Sequence, residues 1–268
     1  MARQLIDYVD EKLENPIFTT PDDAVRNATP KSLLIIVDTH IAASLESREL
    51  YEKCKRVVVI DHHRKAVNYI DNALVFCHEP SASSASEMCS EIISYLDDKP
   101  LGFIQADALL AGIMLDTKNF VLKTGVRTFE AAAYLRRKGA NTLTVKEMFS
   151  GSIDTYREKV EIVVHSEVYR ACAISSSDKV TDDIRLAAAQ AADEMLNISG
   201  IMTSFVLYPD GDQVIISARS IGDANVQMIL EPLGGGGNTA TAGAQVIGKS
   251  IKDVLDDLVA SIDKFYEE

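Results

Sequence analysis

A chain of 268 residues accommodates one large or two modest domains, since a domain takes roughly 100–200 residues. Its composition, 47% hydrophobic and 25% charged, excludes the disordered, fibrous and disulfide-stapled classes and allows a substantial core. Against 40 Asp and Glu stand 27 Lys and Arg, and the resulting net charge of −13 argues against gripping long nucleic acid or an anionic membrane, though not against a small phosphate-bearing ligand.

Residues 3–13 read as a surface helix. Residues 32–38, Ser-Leu-Leu-Ile-Ile-Val-Asp, form an apolar run that closes on a carboxylate and predict a strand buried on both faces. A helical segment follows over 45–55, and then 57–61, Val-Val-Val-Ile-Asp, repeats the strand pattern. The cluster Ser81-Ala82-Ser83-Ser84 offers a serine cap for a helix over 85–96. A third apolar run, 107–116, reads as helical and again closes on a carboxylate. Arg136, Arg137 and Lys138 end an alanine-rich helix, where cations complement the helix dipole. Helices alternating with buried strands argue for a parallel α/β sheet, whose functional groups gather at the carboxyl ends of its strands.

After Gly139 the texture changes. Residues 144–169 predict a long helix or helix pair that serves as a connector, followed by a strand over 170–174 and an alanine-rich helix over 181–196. Two runs, 203–208 and 213–219, flank the turn Pro209-Asp210-Gly211-Asp212 and predict a β-hairpin. The glycine run 234–237 and a closing helix over 251–266 complete a second, smaller α/β domain. The expected division is 1–144, a connector at 145–169, and 170–268.

Cys54, Cys77, Cys89 and Cys172 show no Cys-x-x-Cys spacing and read as core thiols in a reducing compartment. No apolar run approaches the roughly 20 residues a membrane helix needs, and residues 1–8 lack the apolar core of a signal sequence, so a soluble cytoplasmic chain is expected.

The strongest chemical signal is Asp61-His62-His63, directly after a buried-strand pattern. Imidazole and carboxylate ligands at a strand end suit manganese, iron, cobalt or zinc, and Asp38 and Asp116 close neighbouring apolar runs. Three carboxylates and two histidines gathered there match a divalent metal pair, which activates water and stabilises in-line displacement at phosphorus. A bland surface loop is the competing reading of the triplet, and His40 is either a further ligand or only a structural neighbour.

The motifs Val37-Asp38-Thr39-His40, Asp61-His62-His63 and Gly112-Ile113-Met114-Leu115-Asp116-Thr117, with the downstream glycines and Ala242-Gly243, resemble the DHH phosphoesterase superfamily and its DHH-associated C-terminal domain. More narrowly, Leu115-Asp116-Thr117-Lys118-Asn119-Phe120 and Ser217-Ala218-Arg219-Ser220 resemble the GdpP-type bacterial phosphodiesterases, which open cyclic di-AMP to linear pApA. The resemblance implies a parallel-sheet α/β domain followed by a smaller α/β domain, with two Mn2+ ions in the complete family site. It implies Asp38, His62 and Asp116 as metal ligands and Asp61 and His63 as catalytic residues, through orientation or contact with the substrate phosphate. It further implies Gly235, Gly236, Gly237 and Arg219 as substrate contacts, with Asn238 where the family usually has histidine.

This chain shows no His-x-Asp-x-Asp motif, which opens the family pattern and supplies several metal ligands. The expectation is therefore a fragment that starts downstream of that motif, or a relative that has lost it, with an incomplete di-metal centre and little activity. The leading reading is a manganese-dependent phosphodiesterase of cyclic di-AMP. The alternatives are a nanoRNase or pApA hydrolase acting on short oligonucleotides, and a catalytically impaired nucleotide-binding module. The resemblance also leaves open a homodimer and a parent protein anchored in a membrane by a preceding segment.

Overall fold

The computed structural model describes residues 2–15, 17–96 and 101–267, and the chain divides into two units, Met1–Ser150 and Gly151–Glu268. In the first unit, α1 (Ala2–Lys12) and α2 (Pro21–Asn27) precede β1 (Leu33–Val37), α3 (Arg48–Lys53), β2 (Arg56–Asp61) and β3 (Val75–His78). Four helices follow: α4 (Ala85–Tyr95), α5 (Phe103–Asp116), α6 (Val126–Arg137) and α7 (Thr142–Met148).

The runs Leu-Leu-Ile-Ile-Val and Val-Val-Val-Ile, rich in β-branched residues, form the strands that these residue types favour, and β1, β2 and β3 lie parallel in that order. Their register sets Val37 against Ile60 and Asp61 against His78, so Asp38, Asp61 and His62 emerge together at one end of the sheet. Strand β2 is covered on both sides. Val57 and Val59 pack with Ile36 and Ile70, whereas Ile60 packs with Ala82 and Met88 beneath α4. Strand β1 departs from the expectation of burial on both faces: it is an edge strand, and Leu33, Ile35 and Val37 are about half exposed on one side. The run at 107–116 is helical as read, so Asp116 closes a helix rather than a strand. Helices α5, α6 and α7 share a core of Leu110, Ile113, Leu135 and Val145.

The second unit contains α8 (Ile153–Val164), β4 (Glu167–Tyr169), β5 (Cys172–Ser176), α9 (Ile184–Met195), β6 (Thr203–Asp210) and β7 (Gln213–Ser220). It ends with α10 (Val226–Leu230), β8 (Gly236–Gly237), β9 (Thr241–Ile247) and α11 (Ile251–Glu267). One mixed sheet runs β4-β5-β6-β7-β9-β8, with β5 and β6 parallel and the other pairs antiparallel. Strand β6 is buried on both faces, because Phe205 and Leu207 meet α10 and α11 while Val206 and Tyr208 meet α9. Ala187, Ala188, Ala191 and Ala192 of α9 are wholly buried, and their small side chains let the helix lie close to the sheet. The hairpin expected at 203–219 forms, with Gly211 supplying the positive φ of its turn. Among the described residues no helix is long and apolar enough to cross a membrane.

Candidate metal centre

Asp38 follows the last residue of β1 and adopts φ 64°, a left-handed conformation that Asp tolerates better than most residues. Its backbone N–H still donates to the carbonyl of Ile60, so the residue leaves the ladder only after one more bond. His62 follows the last residue of β2 in the same way. Its Nε2 lies 3.3 Å from Asp38 Oδ1 and 3.6 Å from Asp116 Oδ2, and its Nδ1–H donates to the carbonyl of Ala82 at 3.2 Å. A carbonyl only accepts, so this contact places a proton on Nδ1, and Nε2 is the ring nitrogen that faces the two carboxylates.

The charged groups at this corner act on one another. The Asp38 carboxylate beside it raises the His62 pKa against the opposing effect of burial, with the Ala82 contact and the Asp116 charge adding to the rise. Burial pushes the Asp116 pKa up, and the charge of Asp38 pushes it further. Two carboxylates and an imidazole nitrogen that converge in this way form a donor set suited to a first-row divalent ion, whose charge relieves the repulsion. Asp38, His62 and His63 each bring one ligand atom so that all three lie within 4.8 Å of one another.

Asp61 takes a different place. It is 0% exposed, and its carboxylate accepts from the backbone N–H of His62 at 2.8 Å, the N–H of His63 at 3.2 Å, the His63 ring Nδ1 at 2.8 Å and the His40 ring Nδ1. Burial alone would raise its pKa, and the hydrogen bonds from His40 and His63 outweigh that effect and lower it. These contacts hold the rings and backbone of the neighbouring histidines, and the Asp61 carboxylate does not reach the surface. His63, whose side chain is 54% exposed, keeps Nε2 as its free ring nitrogen.

His40 has protein partners at both ring nitrogens. It is buried, its Nδ1 meets Asp61 and its Nε2 accepts from the N–H of Ala66 at 2.8 Å, which ties the loop after the triplet to the end of β1. Sequence reasoning missed Glu87, a buried carboxylate on α4 that holds Ser83. The run Ser83-Ser84-x-x-Glu87 signals a helix cap, and Ser84 Oγ does accept from the Glu87 N–H. Only the fold shows that the capped loop carries the Ala82 carbonyl to His62.

In the second unit the expected substrate contacts separate by role. Gly235 has no room for a Cβ, which would lie 2.7 Å from Leu230 Cβ and 2.8 Å from the Gly243 carbonyl. Gly237 adopts φ 149°, and a Cβ there would fall 2.3 Å from the Thr241 carbonyl. Gly236 has nothing within 4 Å. Asn238 spends its side-chain oxygen on the N–H groups of Ala240 and Thr241, both at 2.9 Å, so it builds the turn between β8 and β9. Arg219 on β7 donates from Nε to Asp193 at 3.2 Å and from Nη1 to the Ala218 carbonyl at 2.9 Å, which commits two of its three nitrogens within the second unit.

A model of the DHH family, N-terminal domain, matches residues 2–113, and one of the DHHA1 domain matches residues 171–268. The chain is 41% identical over 251 residues to cyclic-di-AMP phosphodiesterase PdeA of Listeria monocytogenes, covering 92% of this chain and 38% of that protein. It is 40% identical over 255 residues to cyclic-di-AMP phosphodiesterase GdpP of Bacillus subtilis, covering 93% of this chain and 39% of that protein. The chain thus spans about two fifths of the length of these curated relatives. Its fold is similar to that of an exopolyphosphatase-related protein from Bacteroides fragilis, with a TM-score of 0.80 at 18% identity, covering 91% of this chain and 74% of that one. The chain thus consists of a DHH N-terminal domain followed by a DHHA1 domain.

Proposed function

We propose that this chain contributes the metal-holding and substrate-contacting parts of a manganese-dependent phosphodiesterase that opens cyclic di-AMP to pApA. The observation that carries the reading is the convergence of Asp38 and Asp116 on His62 Nε2, with the opposite ring nitrogen already committed to Ala82. The names of the 40–41% identical relatives support the choice of substrate.

Asp38, His62 and Asp116 would hold the ion. A divalent ion bound there supplies Lewis acidity toward a phosphoryl oxygen and lowers the pKa of water. Asp61 donates nothing and moves no proton; it pins the Nδ1–H of His63 and thereby aims that ring. His63 is then placed to exchange a proton through Nε2 with a substrate oxygen. The open backbone at Gly236 is the proposed point of close approach for a phosphate, and Arg219 Nη2 offers it a charged donor.

The test compares hydrolysis of cyclic di-AMP, pApA and short RNA by this chain with and without Mn2+. A slow, Mn2+-dependent opening of cyclic di-AMP that exceeds cleavage of the linear substrates is expected. Preference for the linear substrates contradicts the reading in favour of the nanoRNase alternative. Dinucleotide binding without turnover contradicts catalysis by this chain and supports a binding module.

A further inference from the structure

Glu87 is 1% exposed, and the roles assigned above leave its charge unexplained. A helix cap does not account for it, because a glutamine at that position completes a capping box without the cost of burying a carboxylate. The same Oε2 atom accepts both the backbone N–H of Ser83 at 3.3 Å and the Ser83 hydroxyl at 2.5 Å. The N–H of Ser83 and the carbonyl of Ala82 belong to one peptide unit. That carbonyl is the acceptor for His62 Nδ1–H.

We infer that Glu87 is a positioning residue for the metal ligand His62, acting through the Ala82–Ser83 peptide. The carboxylate polarises the peptide by accepting its N–H, and the peptide carbonyl becomes a better acceptor for His62 Nδ1–H. The imidazole is thereby held in one orientation with a proton on Nδ1, and Nε2 becomes a stronger electron-pair donor to a metal. Histidines that bind metals commonly give their other N–H directly to a carboxylate or a backbone carbonyl, and such partners affect metal affinity by about 10–100-fold. Here the two kinds of partner act in series.

The inference rests on His62 being a ligand, and the experiment separates the two claims. Ring 15N signals of His62 are recorded in the metal-free chain, and Mn2+ affinity is measured by calorimetry, for wild type, Glu87→Gln and Glu91→Gln. Glu87→Gln is expected to shift the His62 ring signals and to weaken Mn2+ binding about tenfold, while Glu91→Gln changes neither. Unaltered ring signals and affinity in a folded Glu87→Gln chain would overturn the relay and leave Glu87 a cap. Should Glu87→Gln not fold, Ser83→Ala keeps the peptide N–H, loosens the carboxylate, and is expected to shift the same signals less far; no shift counts against the relay. Equal Mn2+ affinity in wild type and His62→Ala would instead remove His62 from the metal site, with the metal-free ring signals still deciding the relay.

Discussion

Three of the four donors that converge on Asp61 come from the two histidines that follow it, so one buried carboxylate sets the geometry of the whole triplet. At the glycine run, residue chemistry separates fold from ligand. Gly237→Ala places a Cβ against the Thr241 carbonyl at φ 149° and should lower stability by more than about 1 kcal/mol in urea unfolding. Gly236→Ala meets no neighbour and should leave the unfolding midpoint unchanged while weakening cyclic di-AMP binding in calorimetry. A Gly236→Ala chain that binds the dinucleotide as well as wild type would move the contact elsewhere. The sequence motif makes the glycines equivalent, because the features that distinguish them are the packing of Leu230 and the bend between β8 and β9.

At the scale of elements, the legible ones carry strong local signals. The hairpin β6–β7 is marked by Pro-Asp-Gly-Asp, α4 by its serine cap, and α11 by its amphipathic pattern. Strand β3 is only four residues long, and the buried positions of β9 are Ala242 and Ala244, too small to register as an apolar alternation. Helix α1 reads as a surface helix, yet its Tyr8 hydroxyl donates to buried Asp107 of α5 at 2.6 Å, and Asp107 also accepts the Asn141 N–H ahead of α7. Burial, followed by the hydrogen bond and charge of Asp107, raises the Tyr8 pKa from 10.0 to about 12. Because the folded value lies above the unfolded one, the contribution of this phenol is complete below pH 10 and is lost as pH rises toward 12. The difference in unfolding free energy between wild type and Tyr8→Phe should therefore shrink across that window. A difference constant from pH 8 to 12 would show that the bond does not anchor α1.

For the whole molecule, length allows one large or two modest domains, the chain divides into two units, and the motifs point to the DHH and DHHA1 domains. Neither reveals that Asp116, at the end of a helix, reaches His62 after a strand, since that approach depends on how α4 packs on β2 and α5 packs on α4. Nor does the triplet itself show which of its members faces outward; burial of Asp61 and exposure of His63 decide it. The central claim is that Asp38, His62 and Asp116 hold a divalent cation. It is tested most directly by Mn2+ titration of the metal-free chain in about 0.15 M salt, where weak binding to scattered surface carboxylates is screened. The account predicts one saturable site, weakened at least about tenfold by Asp38→Asn or His62→Ala. No saturable binding, or binding that neither substitution changes, would contradict it.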